Sequence, residues 1–274
     1  MMTTLTVDPR ISQASVYLSK VLQQSRLAPK AFMVLGSGFR DVVKEWNIEF
    51  ELSMRDIPGY PCPTVEGHGK SLIGARINVG GLSVDALIAT GRTHLYEGHT
   101  VQDICRPIFI AKDLGINSII LTNAAGGLST KATVGSIIAI SDHINLMGKN
   151  IAAADSPEGT HKFIEMVDAY DKTWLQDVCR RSNIESGVYA GMFGSTFETP
   201  AEARMLRTIG ADLAGMSTVQ ETIAARMSGL RVFACSFVTN LCGEPSGGHS
   251  DVLKAVELSF PTIKQTLEAA LEFV

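Results

Sequence analysis

An α/β fold is predicted by three features of this 274-residue chain. Apolar, β-branched runs recur along it, segments of helical periodicity lie between many of them, and small or glycine-rich turns follow several runs. Strands alternating with helices imply a mixed, mostly buried central sheet. Strands are expected at Ala31–Leu35, Ser71–Val79 and Leu82–Thr90, before a helix at Val101–Leu114. The strands Ser118–Thr122 and Ser136–Ser141 come next, then a helix at Asp171–Arg181 and a strand at Gly187–Phe193. Thr199 can cap a helix over Pro200–Ile209, with proline at its first position. A strand at Asp212–Met216, a helix at Thr218–Ser228 and a strand at Leu230–Thr239 complete the alternation. Apolar periodicity predicts a last amphipathic helix from about Ser250 to Val274. No repeat or linker divides the chain, so one domain is expected over residues 1–274. Residues 148–161 and 241–248 are expected to be long loops.

The composition, 45% hydrophobic and 19% charged, is that of a globular enzyme. A net charge of −4 supplies no basic field for nucleic acid, and no apolar run is long enough to span a membrane. The first ten residues do not resemble a secretory signal. Five widely spaced cysteines, without a Cys-x-x-Cys pair, point to unpaired thiols in a reducing cytoplasm rather than a zinc or redox site.

Candidate functional residues collect at strand ends, where ligand sites form in open α/β sheets. Gly91 to His99 (Gly-Arg-Thr-His-Leu-Tyr-Glu-Gly-His) is the most informative segment. Arg92 and His94 point the same way on extended backbone and suit an anion such as phosphate. Gly36-Ser37-Gly38 fits either a tight turn or a phosphate contact; Asp41 stands where a dinucleotide fingerprint needs its third glycine. Thr122-Asn123-Ala124-Ala125-Gly126-Gly127 admits either a close-packed turn or a ligand against bare amides. Phe197-Glu198-Thr199-Pro200 reads as a helix start or as an aromatic–carboxylate pair facing a ligand. Ser217, after Gly215 and Met216, can cap a helix and touch an anion at its positive end. Asn240 and His249 are a turn former and a surface histidine, unless they join the same site.

These motifs together resemble the trimeric, 6-oxopurine-specific class of purine nucleoside phosphorylases. The resemblance runs in order from about Ala31 to His249. Besides the motifs above, Ile57-Pro58-Gly59-Tyr60-Pro61, Glu66-Gly67-His68 and Asp142-His143-Ile144-Asn145-Leu146 carry it. It implies one α/β domain around a mixed, barrel-like sheet flanked by helices, of the phosphorylase/hydrolase-like kind. It also implies a cytoplasmic homotrimer with no metal and no cofactor, inorganic phosphate being a co-substrate. Phosphate is then expected against Ser37, His68, Arg92, His94, Ala124 and Ser217. Ribose would meet Tyr96, Met216 and His249, with Phe163 supplied by a neighbouring subunit. The base would lie by Phe197, Glu198, Gly215 and Asn240, and His94, Glu198 and Asn240 would carry the catalysis.

The expected reaction is reversible phosphorolysis of purine nucleosides, chiefly inosine and guanosine, to free base and ribose 1-phosphate. An ionised glutamate only accepts hydrogen bonds, so Glu198 suits the N1–H of a 6-oxopurine. Asn240 can donate to N7, where charge develops as the base departs. Glu97 would orient His94, and His99 remains an ordinary loop residue. A xanthosine- or methylthionucleoside-preferring phosphorylase is the neighbouring alternative, and an idle nucleoside-binding protein the alternative from another class. Arg40, Asp41, Lys70, Ser195-Thr196 and Gln220 depart from the family pattern.

Overall fold

Strand β5 (Ser118–Gly127) organises the sheet, because three other strands pair with it. On one side β1 (Ala31–Val34) runs parallel to Ser118–Leu121, and β8 (Leu213–Gly215) pairs antiparallel with Gly126 and Gly127. On the other side β9 (Arg231–Leu241) follows β5 in parallel from end to end. The sheet continues from β8 through β7 (Glu185–Gly191) and β6 (Ile137–Asn145) to β9, which closes β5, β8, β7, β6 and β9 into a barrel. Beyond β1 the same sheet extends through β4 (Leu82–Ala89), β3 (Ser71–Val79) and β2 (Asn47–Ser53). The computed structural model describes residues 8–36, 39–64, 69–153, 163–245 and 260–274. The expected single α/β domain with a mixed, barrel-like sheet is what these residues form.

Alternation along the strands feeds two cores, one on each face. Phe32, Val34, Leu87, Ala89, Ile119 and Leu121 pack among the helices α1 (Pro9–Ser25), α2 (Val101–Asp113) and α5 (Val219–Met227). Their neighbours Ala31, Met33, Ala86, Ile88 and Ile120 face the opposite core with α3 (Lys172–Ser182) and α6 (Phe260–Glu272). Burial on both faces explains why these strands read as unbroken apolar runs. A smaller cluster joins α4 (Pro200–Thr208) to β7 and β8 through Ala203, Leu206, Ala190 and Ala214. Among the described residues, no helix is long and apolar enough to cross a membrane.

Several boundaries differ from expectation for identifiable reasons. β5 does not stop at Thr122: pairing with β9 and β8 keeps Asn123–Gly127 extended, so this segment is strand rather than turn. β6 likewise runs on to Asn145 beside β7, and β7 begins at Glu185 and ends at Gly191, short of Phe193. α1 and β2 have no counterpart in the sequence reading. α1 fully buries Ala14, Ser15, Leu18 and Leu22 but also carries Ile11, Val16, Tyr17 and Val21, with Val16 56% exposed, so its apolar residues do not mark one face. β2 is an edge strand paired only with β3, and none of its residues is fully buried. The last helix is described from Phe260 to Glu272; its expected first part, 250–259, lies outside the described residues. Within the two expected loops, Ile151–Ala153 forms a short 3-10 turn, and residues 154–162 and 246–248 lie outside the described set.

Candidate active site

β1 accompanies β5 only as far as Leu121, and β8 joins it only at Gly126. Over the interval between them, that edge of β5 has no strand beside it among the described residues. A cavity of about 250 Å³ opens there, with Asn123, Ala124, Ala125 and Gly126 on its floor. Ten sequence-predicted residues meet around it: Arg92, His94, Tyr96, Ala124, Phe197, Glu198, Gly215, Met216, Ser217 and Asn240. β5 also sets the length of the site. At about 3.3 Å per residue, Thr122 and Gly126 lie roughly 13 Å apart, the scale of a nucleoside with phosphate beside it.

The Thr122 end holds a buried, fixed guanidinium. Arg92 is only 6% exposed and donates through Nη1 to the Thr122 carbonyl. Its Nε lies 3.1 Å from Glu221 Oε1. The other oxygen of Glu221 accepts the Thr218 amide at 2.8 Å, so one buried carboxylate fixes both the arginine and the start of α5. Thr218, not Ser217, is the residue that caps α5. Its φ of 68° is strained for a β-branched residue, and Asn123 Nδ2 holds its hydroxyl at 2.9 Å. Ser217 is thereby released from capping and lines the cavity, its hydroxyl 3.2 Å from that of Thr218.

His94 belongs to the same end. Its Nδ1 lies 2.8 Å from Glu97 Oε1, which also accepts the His94 amide at 2.7 Å. Burial pushes the His94 pKa below 6.5; the Glu97 hydrogen bond pulls upward without reversing this, and Arg92 adds to the depression. The ring is therefore neutral at neutral pH. With its proton on Nδ1 given to Glu97, Nε2 is an acceptor suited to a protonated phosphate oxygen. Tyr96 stacks on His94 at 4.7 Å between ring centroids, and burial lifts its pKa to about 12, so it remains a donor. Gly194, at φ 82°, brings the backbone against this pair: a Cβ there would lie 2.5 Å from Met216 Sδ and 2.8 Å from Tyr96 Cδ1.

Burial opposes ionisation of Glu97, but hydrogen bonds from His94 and from the Thr64 hydroxyl and amide carry its pKa from 4.5 down to about 2. A folded pKa below the unfolded one gives stability that is complete above about pH 4.5 and is lost as pH falls toward 2. The stability gap between the wild type and Glu97→Gln is therefore expected to be constant above about pH 5 and to narrow steadily below it. Denaturant titrations at a series of pH values measure this. A gap of the same size at pH 3.5 and pH 7 would assign Glu97 a packing role only.

The Gly126 end presents hydrogen-bonding groups of opposite kinds. The register of β5 with β9 shifts between Ala125 and Gly126, a bulge that leaves Thr239 without a partner residue. Two consecutive residues, Thr239 and Asn240, thereby line the cavity. Thr239 Oγ1 donates to Asn240 Oδ1 at 3.0 Å, which orients the amide so that its NH2 is the group left to donate. Glu198 supplies a carboxylate from the turn before α4, where Thr199 caps as expected, accepting the Glu202 amide at 3.2 Å. Phe197 is half exposed at the rim.

Phe163 is not brought into this cavity. It is 98% exposed and lines a separate groove with His143, Asn145 and Met166. Ser37, His68 and His249 lie outside the described residues. Lys70 is exposed, and Gln220 is buried, its side chain tying α5 to the Lys149 carbonyl and the Ile151 amide at 2.6 and 2.9 Å. Asn123 and Thr218 fall within segments singled out from the sequence but without a role of their own, and Glu221 and Thr239 were missed. Thr218-Val219-Gln220-Glu221 has the spacing of a capping box, and that signal would have pointed to a carboxylate beside the anion end.

The family model of the phosphorylase superfamily matches residues 52–272. The chain is 42% identical over 230 residues to the purine nucleoside phosphorylase of Mycobacterium tuberculosis, covering 81% of each chain. It is 36% identical over 257 residues to purine nucleoside phosphorylase 1 of Bacillus subtilis, covering 90% of this chain and 92% of that one. The mouse purine nucleoside phosphorylase is 33% identical over 271 residues, with 93% and 92% covered. A crystal structure of schistosoma purine nucleoside phosphorylase in complex with hypoxanthine superimposes with a TM-score of 0.83 at 27% identity, covering 98% of this chain and 99% of that one. The chain belongs to the phosphorylase superfamily, among its purine nucleoside phosphorylases.

Proposed function

We propose that the protein catalyses reversible phosphorolysis of purine nucleosides, with inosine and guanosine as the preferred substrates and phosphate as the only co-substrate. The carrying observation is the polarity of one cavity: a locked arginine at one end of β5, and an amide donor with a carboxylate at the other. Phosphate held by Arg92, His94, Ser217 and the Ala124 backbone attacks C1′ of ribose as the C1′–N9 bond breaks. The bonding electrons pass into the purine, and the Asn240 NH2 stabilises the charge that develops at N7. Glu198 accepts from the N1–H of a 6-oxopurine and opposes the bare N1 of adenine. Tyr96 and Met216, which also line the cavity, are left for the sugar.

Ser37, His68 and His249 are assigned to phosphate, phosphate and ribose by resemblance. A homotrimer is proposed on the same ground. Its support is Phe163, an aromatic side chain 98% exposed in its own subunit and so available to a neighbour's sugar site. Five unpaired cysteines support a reducing compartment such as the cytoplasm.

The test follows base release from inosine, guanosine, xanthosine, adenosine and methylthioadenosine, each with and without phosphate. Release from inosine and guanosine only when phosphate is present is expected, from a particle of about three times the 29.4 kDa chain mass. Phosphate-independent release would make the protein a hydrolase. Binding without release would leave it an idle nucleoside binder.

A further inference from the structure

We propose that Asn123 is a positioning residue for phosphate, acting through the Thr218 hydroxyl to turn the Ser217 proton into the cavity. The inference rests on the reading of the cavity's Thr122 end as the phosphate site. Asn123 is out of place among its neighbours. Alternation along β5 puts it on the face of Ile119, Leu121 and Ala125, all buried in the core that α5 covers. It is 2% exposed, and its Oδ1 has no hydrogen-bond partner among the described residues. An apolar side chain would fill this place without the cost of a buried, half-satisfied amide. What asparagine adds is the donor it offers to Thr218.

That donor starts a directed chain. Asn123 Nδ2 donates to Thr218 Oγ1 at 2.9 Å. Thr218 accepts on that side and keeps its own proton, and Ser217 Oγ lies 3.2 Å away. Donation to this oxygen occupies a serine lone pair and leaves the serine proton directed away from Thr218. Ser217 lines the cavity, so its free proton serves whatever occupies that end. A phosphate dianion presents acceptors on nearly all of its surface; a serine proton binds it, and a serine lone pair opposes it. The backbone holds the chain together. Thr218, at φ 68° and ψ −45°, is the centre of a γ-turn in which the Val219 amide donates to the Ser217 carbonyl at 2.7 Å. The Ser217 amide donates to the Tyr189 hydroxyl at 3.3 Å, which ties the turn to β7.

The test is a double-mutant cycle read as KM for phosphate in the intact enzyme. Asn123→Ala and Ser217→Ala are each expected to raise it about tenfold, the scale of one hydrogen bond to a charged group, with KM for inosine unchanged. In the Ser217→Ala background, Asn123→Ala should add less than about twofold, because the proton it directs is gone. Losses that multiply would mean that Asn123 acts independently of Ser217, and would overturn the proposal. Thr218→Val keeps the side-chain shape but interrupts the chain from the α5 side, and is expected to match Asn123→Ala. Thr218→Ser keeps the hydroxyl and should stay within about threefold of wild type. Equal losses in the two Thr218 variants, or no loss in Asn123→Ala or Thr218→Val, would sink the idea. An unchanged phosphate KM in Ser217→Ala would instead take phosphate away from this end, overturning the reading beneath the proposal and the proposal with it.

Discussion

Arg92→Ala is expected to lower kcat/KM for phosphate by about 10³-fold and to destabilise the fold at the same time. The two effects have separate causes. Phosphate loses a guanidinium whose direction is set by the Thr122 carbonyl and Glu221, so its positioning fails along with its charge. Glu221, 6% exposed, loses its counter-ion and becomes a buried carboxylate held only by the Thr218 amide. Removing one partner of a buried pair costs about 3–5 kcal/mol, roughly 10 °C in Tm for a domain of this size.

The double variant Arg92→Ala/Glu221→Gln separates the two. A neutral glutamine keeps a group for the Thr218 amide and removes the unpaired charge, so much of the lost Tm should return. Activity should not. Thermal unfolding and phosphate-dependent initial rates measure both quantities on the same preparations. Recovery of activity in the double variant would show that Arg92 serves the fold around α5 rather than phosphate. An unchanged phosphate KM in Arg92→Ala would move the anion site elsewhere.

The central strands were legible because burial on both faces demands unbroken apolar runs, as in β1 and in the first part of β5. What was illegible depended on partners distant in sequence. Asn123–Gly127 look like turn residues, and only pairing to β8 and β9 makes them strand. α1 carries apolar residues beyond its buried stripe, among them an exposed Val16, which blurs its period, and β2 is an exposed edge. The site divides in the same way. Arg92, His94, Glu198 and Asn240 carry functional groups whose chemistry can be read from a strand end. Glu221 and Thr239 act on those groups, and their roles exist only once the barrel closes. The bulge that lets Thr239 orient Asn240 is a property of register, which composition does not encode.

Asn240→Asp should reverse part of the base preference. In the wild type, Thr239 donates to Oδ1 at 3.0 Å, and the amide NH2 is left as a donor. A carboxylate at this position keeps the acceptor that Thr239 requires and replaces the NH2 with a second acceptor. Facing N7 of inosine, that oxygen meets a lone pair and the charge that accumulates as the glycosidic bond breaks. The loss of a donor from a developing anion costs about 10²–10³-fold in kcat, and the added repulsion works in the same direction. Adenosine differs because its exocyclic amino group is a donor that can reach the new acceptor, so its kcat/KM should fall less or rise. The measured quantity is the ratio of kcat/KM for adenosine to that for inosine, expected to increase at least tenfold. KM for phosphate is the internal control, since Asn240 sits at the Gly126 end of β5 and Arg92 at the Thr122 end. A tenfold shift in the ratio with constant phosphate KM would locate the effect at the base. An unchanged ratio would mean that Asn240 does not face N7, and the base would then have to be oriented from Glu198 alone.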